Sequence, residues 1–233
     1  MKKSAIAIAA LLALSTGAAN ADVMNGFTGK IEAEYTTQDK HANVEAQLGY
    51  DFNLGAVSVV PFLSAETGYS GEKDVITDKA EGFDRGAIGG GLRVETNFDN
   101  FYAYAEGRAM VKDHIKVQGP VAVPMKSNSN TLLEGTLNEY RVEIGSGYQF
   151  DSGFSAGVEA AFTREDTKLK GINSIKDDKR EVFAVAGYNF NDNFSLYAKV
   201  GAADTAELNS LAKSKKDDGK WETKTVVGVT YKF

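Results

Sequence analysis

Three short runs in this chain put charges of both signs on alternate residues. They are Arg93 and Glu95, Glu106 and Arg108, and Glu139, Arg141 and Glu143. In a strand, residues two apart project from the same face, so each run would present its charges together. Two kinds of chemistry follow. Opposite charges facing a closed interior would neutralise one another as a salt-bridge network, because a low-dielectric interior tolerates charge only when it is paired. The same charges around a water-filled path would select solutes, with a slight cation preference from the acidic excess, since no single-sign ring is evident. Lys30, Glu32 and Glu34 extend the pattern, and Glu45, Glu66, Glu159 and Lys199 add to it.

Catalytic chemistry has fewer candidates. The only histidines are His41 and His114, with Asp39 and Asp113 close by in sequence. A general base needs a nucleophile and an orienting group beside it, and neither histidine has a recognisable set, so both are expected to be solvated loop residues and the chain is not expected to be an enzyme. There is no cysteine. That removes thiol catalysis, disulfides and cysteine-ligated metals, and no zinc-ligand spacing occurs, so no cofactor or metal is expected. The net charge of −6 argues against nucleic acid, which needs a basic face.

The elements that must position these charges are strands. Over 139–150, Tyr140, Val142, Ile144, Ser146, Tyr148 and Phe150 alternate with Glu139, Arg141, Glu143, Gly145, Gly147 and Gln149. Only a strand presents such a period coherently, and this one is about twice the usual length. The division recurs over 42–52, 88–98, 101–112 and 181–190, with apolar side chains on one face and charged or small ones on the other. Twenty-four glycines, ten tyrosines and thirteen phenylalanines against three prolines also favour sheet. After residue 21 there is no apolar run long enough for a membrane helix.

The placement of aromatics decides which face meets what. Phe52, Phe98, Phe150 and Phe190 stand at strand ends on the apolar face, and Phe101, Phe154 and Phe194 open the next strands on that face. This gathers a girdle at one rim, as a membrane interface requires. Tyr140 lies ten residues before Phe150, which is roughly 25 Å along a tilted strand, the height of a barrel's apolar band. The phrase "GYDFNLGAVS" at 49–58 returns as "GYQFDSGFSA" at 147–156, as "GYNFNDNFSLY" at 187–197, and loosely as "TNFDNFYAY" at 96–104. These are four tight periplasmic turns. A repeat propeller is the alternative, but its repeats would be more regular and its outer faces less apolar.

Four turns imply ten antiparallel strands, at about 27–37, 42–52, 56–70, 84–98, 101–114, 137–150, 154–166, 180–190, 194–203 and 222–233. The fold expected is all-β, a membrane-spanning up-and-down barrel over 22–233, with eight strands possible. Its outward connections, 38–41, 71–83, 115–136, 167–179 and 204–221, are polar. Residues 1–21 combine Lys2 and Lys3, an apolar run, and Ala19-Asn20-Ala21, which predicts a signal peptide cleaved after Ala21.

In "KTVVGVTYKF" at 224–233, Val227, Val229, Tyr231 and Phe233 share a face. These features resemble the small outer-membrane β-barrel proteins of Gram-negative bacteria, the group spanning opacity-type surface proteins and small porins. The specific motif is that group's barrel-assembly signal, polar-x-Gly-x-x-aromatic-x-aromatic. Gly228, Tyr231 and Phe233 match it, while Val226 stands where a polar residue is usual. The resemblance implies location in the bacterial outer membrane, with the barrel-assembly machinery and periplasmic chaperones as transient partners. It does not imply a function, since one fold hosts many.

Size bears on the lumen. Eight-stranded barrels are just filled by side chains and wide aqueous channels have 16–18 strands, so ten strands should leave a largely occluded or narrow lumen. Gly89, Gly91, Gly145, Gly147 and Gly187 on the inward face are expected to leave local gaps. The reading is a monomeric structural or surface barrel, with a weakly selective small-solute porin as the alternative. Lysines in "KLKGINSIKDDK" and "AKSKKDDGK" could meet lipopolysaccharide phosphates beside the surrounding lipid, or merely keep the outer rim wet.

Overall fold

The computed structural model describes residues 26–36, 41–70, 86–118, 132–169, 174–204 and 221–233. The expected signal segment and its cleavage site lie outside these residues, as does Asp39. Eleven strands are present: β1 (Phe27–Thr36), β2 (His41–Tyr50), β3 (Phe52–Asn53), β4 (Val57–Ser70), β5 (Ile88–Phe98), β6 (Phe101–Gln118), β7 (Leu132–Gln149), β8 (Phe154–Leu169), β9 (Ile175–Asn189), β10 (Phe194–Asp204) and β11 (Trp221–Lys232). Every pairing is antiparallel between neighbours in sequence, apart from two that close the sheet. β1 pairs with β11 as well as with β2, and β2 pairs with β4 across the two-residue β3. The result is a closed barrel of ten long strands, with β3 a small addition at its periplasmic rim. Closure leaves no sheet edge to be satisfied by lipid.

The wall is inside-out relative to a soluble protein. Val142, Ile144, Val158 and Val182 point outward and are 56%, 58%, 61% and 52% exposed, while Glu106, Glu143 and Glu159 are buried within. An apolar exterior this continuous is stable only against hydrocarbon.

The girdle has a repeating unit. A phenylalanine opening one strand pairs with a tyrosine near the end of its neighbour: Phe27 with Tyr50, Phe101 with Tyr148, Phe154 with Tyr188, and Phe194 with Tyr231. Two residues later each tyrosine meets a second phenylalanine, Phe52, Phe150, Phe190 or Phe233, at ring-centroid separations of 4.8–4.9 Å. Phe52, Phe98, Phe150 and Phe190 all face outward. Phe150 and Phe190 stand just past their strands, and their amides donate to the carbonyls of Phe154 and Phe194 to tie off the turns. In the last of these turns the Asn191 side chain accepts from the amides of Asn193 and Phe194, at 2.9 and 2.8 Å. Gly55 and Gly153 supply the positive φ that two other turns need.

The outer ends differ from expectation. Residues 115–118 and 132–136 are strand rather than loop, pairing from Ile115↔Gly135 to Gln118↔Leu132, with a register shift between Asp113 and Ile115. Residues 167–169 and 175–179 are likewise strand. Past the apolar band both faces are wet, so composition turns loop-like while the backbone ladder continues. β5 begins at Ile88, later than expected.

Candidate functional site

Alternation along ten strands delivers the charges to one belt at mid-height in the lumen. Arg93 meets Glu95 at 3.1 Å and Glu106 at 3.6 Å. Glu106 also faces Lys30 at 4.0 Å, and Lys30 meets Glu32 at 3.2 Å. Glu32 passes to Lys199 at 3.1 Å, and Lys199 reaches Glu159 at 2.8 Å and Glu143 at 3.9 Å. Glu143 pairs with Arg141 at 3.2 Å, Arg141 with Glu181, and Glu181 with Lys224, which also holds Glu34 at 2.7 Å. Cation and carboxylate thus alternate in one chain from β5 around and across to β11. Four carboxylates, Glu106, Glu32, Glu143 and Glu181, each bridge two cations. A carboxylate with several lone-pair sites can satisfy two donors, which is what a buried charge needs.

Arg108 and Glu139 belong to a second cluster. Arg108 binds Glu45 closely and Glu139 at 3.1 Å. Gln47 and Ser64 donate to Glu45 at 2.9 and 2.6 Å. The seven residues expected to form a lumen network therefore fall into two groups: Arg93, Glu95, Glu106, Arg141 and Glu143 in one, Arg108 and Glu139 in the other. Lys224 and Glu181 were missed as members of the network. The alternation through Val226 and Gly228 already puts Lys224 on the lumen face, but its partners follow only from the closure of β1 on β11.

Of the glycines expected to leave gaps, Gly145 and Gly147 are covered by tyrosines, Gly187 is approached by the Ser155 hydroxyl, Gly91 by Phe62 and the β6 backbone, and Gly89 by the β6 backbone alone. A Cβ at Gly145 would strike the ring of Tyr104, one at Gly228 the ring of Tyr197, and one at Gly147 or Gly157 would come within 2.6 Å of the Tyr102 hydroxyl. Each tyrosine fills the space over a neighbouring strand's glycine. The Tyr104 hydroxyl then donates into the belt, to Glu143 at 3.1 Å and to Glu159, and the Arg93 guanidinium stacks on the Tyr104 ring at 3.7 Å.

Free space in the lumen is uneven. On the periplasmic side a cavity of about 690 Å³ is lined by Asn97, Tyr102, Asn189 and Thr230 among others and reaches up to Lys30, Arg93 and Lys199. Deeper in the belt, between Glu32, Arg108, Arg141 and Lys199, lies a pocket of only about 40 Å³. Met110 and Phe183, 1% and 2% exposed, also point inward. The side chains of His41, Asp113 and His114 lie outside the described residues.

A closed antiparallel barrel with an apolar exterior, an aromatic girdle and a charged interior is an integral membrane protein, and such barrels belong to the bacterial outer membrane. This chain is a small outer-membrane β-barrel. No protein-family model matches the chain. No curated protein sequence matches it either. Among solved structures, it is similar to the NanC porin at 12% identity, covering 88% of this chain and 100% of that one, with a TM-score of 0.49. The KdgM porin is similar at 14% identity over 88% and 99%, with a TM-score of 0.42. Neisserial surface protein A (NspA) is similar at 10% identity over 90% and 98%, with a TM-score of 0.38. Likenesses this loose carry no argument about what the chain does, which rests on its own residues.

Proposed function

We propose that this protein is a non-catalytic structural or surface barrel of the outer membrane, of the opacity-type kind, whose lumen is plugged by its own ion-pair belt. The observation that carries the reading is the continuous chain of bridged ion pairs across the lumen, which leaves between Glu32, Arg108, Arg141 and Lys199 a pocket of only about 40 Å³, room for no more than a few waters. A solute would have to break several bridged ion pairs to pass. Each break would strand a buried charge, at about 3 kcal/mol or more. Before it takes this place, the chain is exported with loss of residues 1–21 and handed by periplasmic chaperones to the assembly machinery, which reads Gly228, Tyr231 and Phe233.

The second reading is a weakly selective small-solute porin, favoured by the cavity of about 690 Å³ open toward the periplasm. Single-channel recording in planar bilayers separates the two. The wild type should be silent, and Glu106→Ala/Arg108→Ala, which removes a node from each cluster, should show small channel events. Steady wild-type conductance that rises in the double variant would replace the plugged barrel with the porin.

A further inference from the structure

The periplasmic mouth of the lumen is acidic. Its four turns contribute Asp51, Asp99, Asp151 and Asp192 and contain no lysine or arginine. None of these carboxylates forms an ion pair among the described residues, although Asp51 accepts from the Ser58 hydroxyl and Asp151 from Asn100 Nδ2 at 3.4 Å. Lys232 stands at the same rim. Asp51, Asp99 and Asp192 line the cavity of about 690 Å³, a volume typical of sites for small organic ligands.

Above the rim the charges balance, with Lys30, Arg93 and Lys199 against Glu95, Glu106 and Glu159. One oxygen is left over. Glu106 is 5% exposed, and its Oε2 accepts no hydrogen bond, because Arg93 and Lys30 stand 3.6 and 4.0 Å away. A buried carboxylate oxygen without a donor, at the head of an acidic approach, fits an N–H donor that comes from outside the chain. Glu106 is five residues beyond Phe101, roughly 13 Å up a tilted strand from the rim. The half-buried Tyr102 lies on the wall between. Acids at two heights joined by an aromatic wall match a slender molecule with cations at both ends and methylenes between, and an acidic mouth with low-dielectric walls concentrates such cations. A compact metal ion would occupy one height and leave the other unserved.

We propose that this periplasmic vestibule is a binding site for a linear polyamine. One ammonium is held at the mouth by the field of Asp51, Asp99 and Asp192, the chain runs along Tyr102, and the far ammonium donates to Glu106 Oε2. The site needs only the vestibule, so it does not depend on whether the belt above lets solutes pass.

The test is calorimetric titration of spermidine into the full-length mature barrel in neutral detergent at low ionic strength, using proteins that keep their gel-mobility shift on boiling. The wild type should show saturable binding. Asp99→Asn/Asp192→Asn should weaken it about tenfold, since the mouth's field supplies the attraction. Glu106→Gln should weaken it too, and Glu165→Gln at the outer mouth should leave it unchanged. Lys232→Gln, which removes a rim cation, should tighten it, a gain that no folding defect can imitate. Absence of saturable binding in the wild type would overturn the proposal without reference to any variant. Unchanged affinity in the rim double variant would overturn it as well. So would equal affinity for magnesium ion or for tetraethylene glycol, a neutral chain of similar length.

Discussion

Tyr104 and Tyr197 account for glycines that would otherwise weaken their strands. A glycine in a strand gives up packing and costs backbone entropy, and here the aromatic ring of an adjacent strand recovers the lost contact. Gly228 lies under Tyr197 in this way, and it is also part of the expected assembly signal. The two roles separate experimentally. If the glycine serves packing, Gly228→Ala should destabilise the barrel refolded in detergent, with no assembly machinery present, by about 1–3 kcal/mol through overpacking. Removing the ring together with it, in Gly228→Ala/Tyr197→Ala, should cost less than the two single changes combined, a coupling that urea titrations of all four proteins would measure. Additive losses would show that the Tyr197 ring does not need the space above Gly228. Such lids also explain why the gaps expected at Gly145 and Gly147 are filled. Sequence shows that a side chain is missing, but not which neighbour's side chain leans into its place.

At the scale of elements, the strands were legible wherever one face meets lipid and the other the lumen. The alternation from Glu139 to Phe150 needs no structural information to be read as strand, and all ten long strands were found on that basis. Legibility stops at the edge of the apolar band. Beyond Phe162 both faces of β8 are polar, so Thr167 to Leu169 resemble a loop although they pair with β7 up to Gly135. The belt was partly legible for a related reason. The facing direction of each charge follows from local alternation, whereas the pairing of Lys224 with Glu34 depends on which strands become neighbours at closure. The outer extension of β8 and β9 rests in part on the Arg164–Asp178 pair, which lies outside the membrane-spanning segment. The hydrogen bonds from Arg164 hold the Asp178 carboxyl below its ordinary range. A depressed folded pKa means that the pair's contribution is present above the unfolded value, about pH 4, and lost as pH falls through the folded value. Being solvent-exposed, the pair should affect only local opening. Amide exchange at 164–168 and 176–180 should therefore be slower in wild type than in Asp178→Asn at pH 6, and the difference at matched pH should vanish near pH 2. A difference that persisted there would assign the ordering of this end to something other than the pair.

The whole barrel is lopsided in height. β6 and β7 run for 18 residues each and β8 for 16, against 10 to 12 for β1, β2, β5, β10 and β11. All must cross the same hydrocarbon layer, so the surplus of β6 and β7 stands outside it as a wall that touches no lipid. Tyr140, 53% exposed, marks where the layer ends on β7, and Leu132 to Asn138 lie beyond. Stability in such a barrel comes from the closed ladder, the lipid-facing surface and the belt, none of which includes this wall. Replacing Val117–Leu133 by Asn-Gly should therefore leave a sound barrel, since Lys116 and Glu134 are cross-strand partners and a two-residue turn of that type joins such a pair. The check is gel mobility before and after boiling, because a closed barrel keeps its compact shape in detergent until heated. The shortened chain should retain the shift and the wild-type conductance behaviour. If it migrates as an unfolded chain without heating, the outer wall is part of what closes the barrel, and the division between a membrane-spanning body and a free-standing extension fails. If the shift survives but conductance changes, the wall or its connection reaches over the outer mouth, and permeability depends on more than the charge belt.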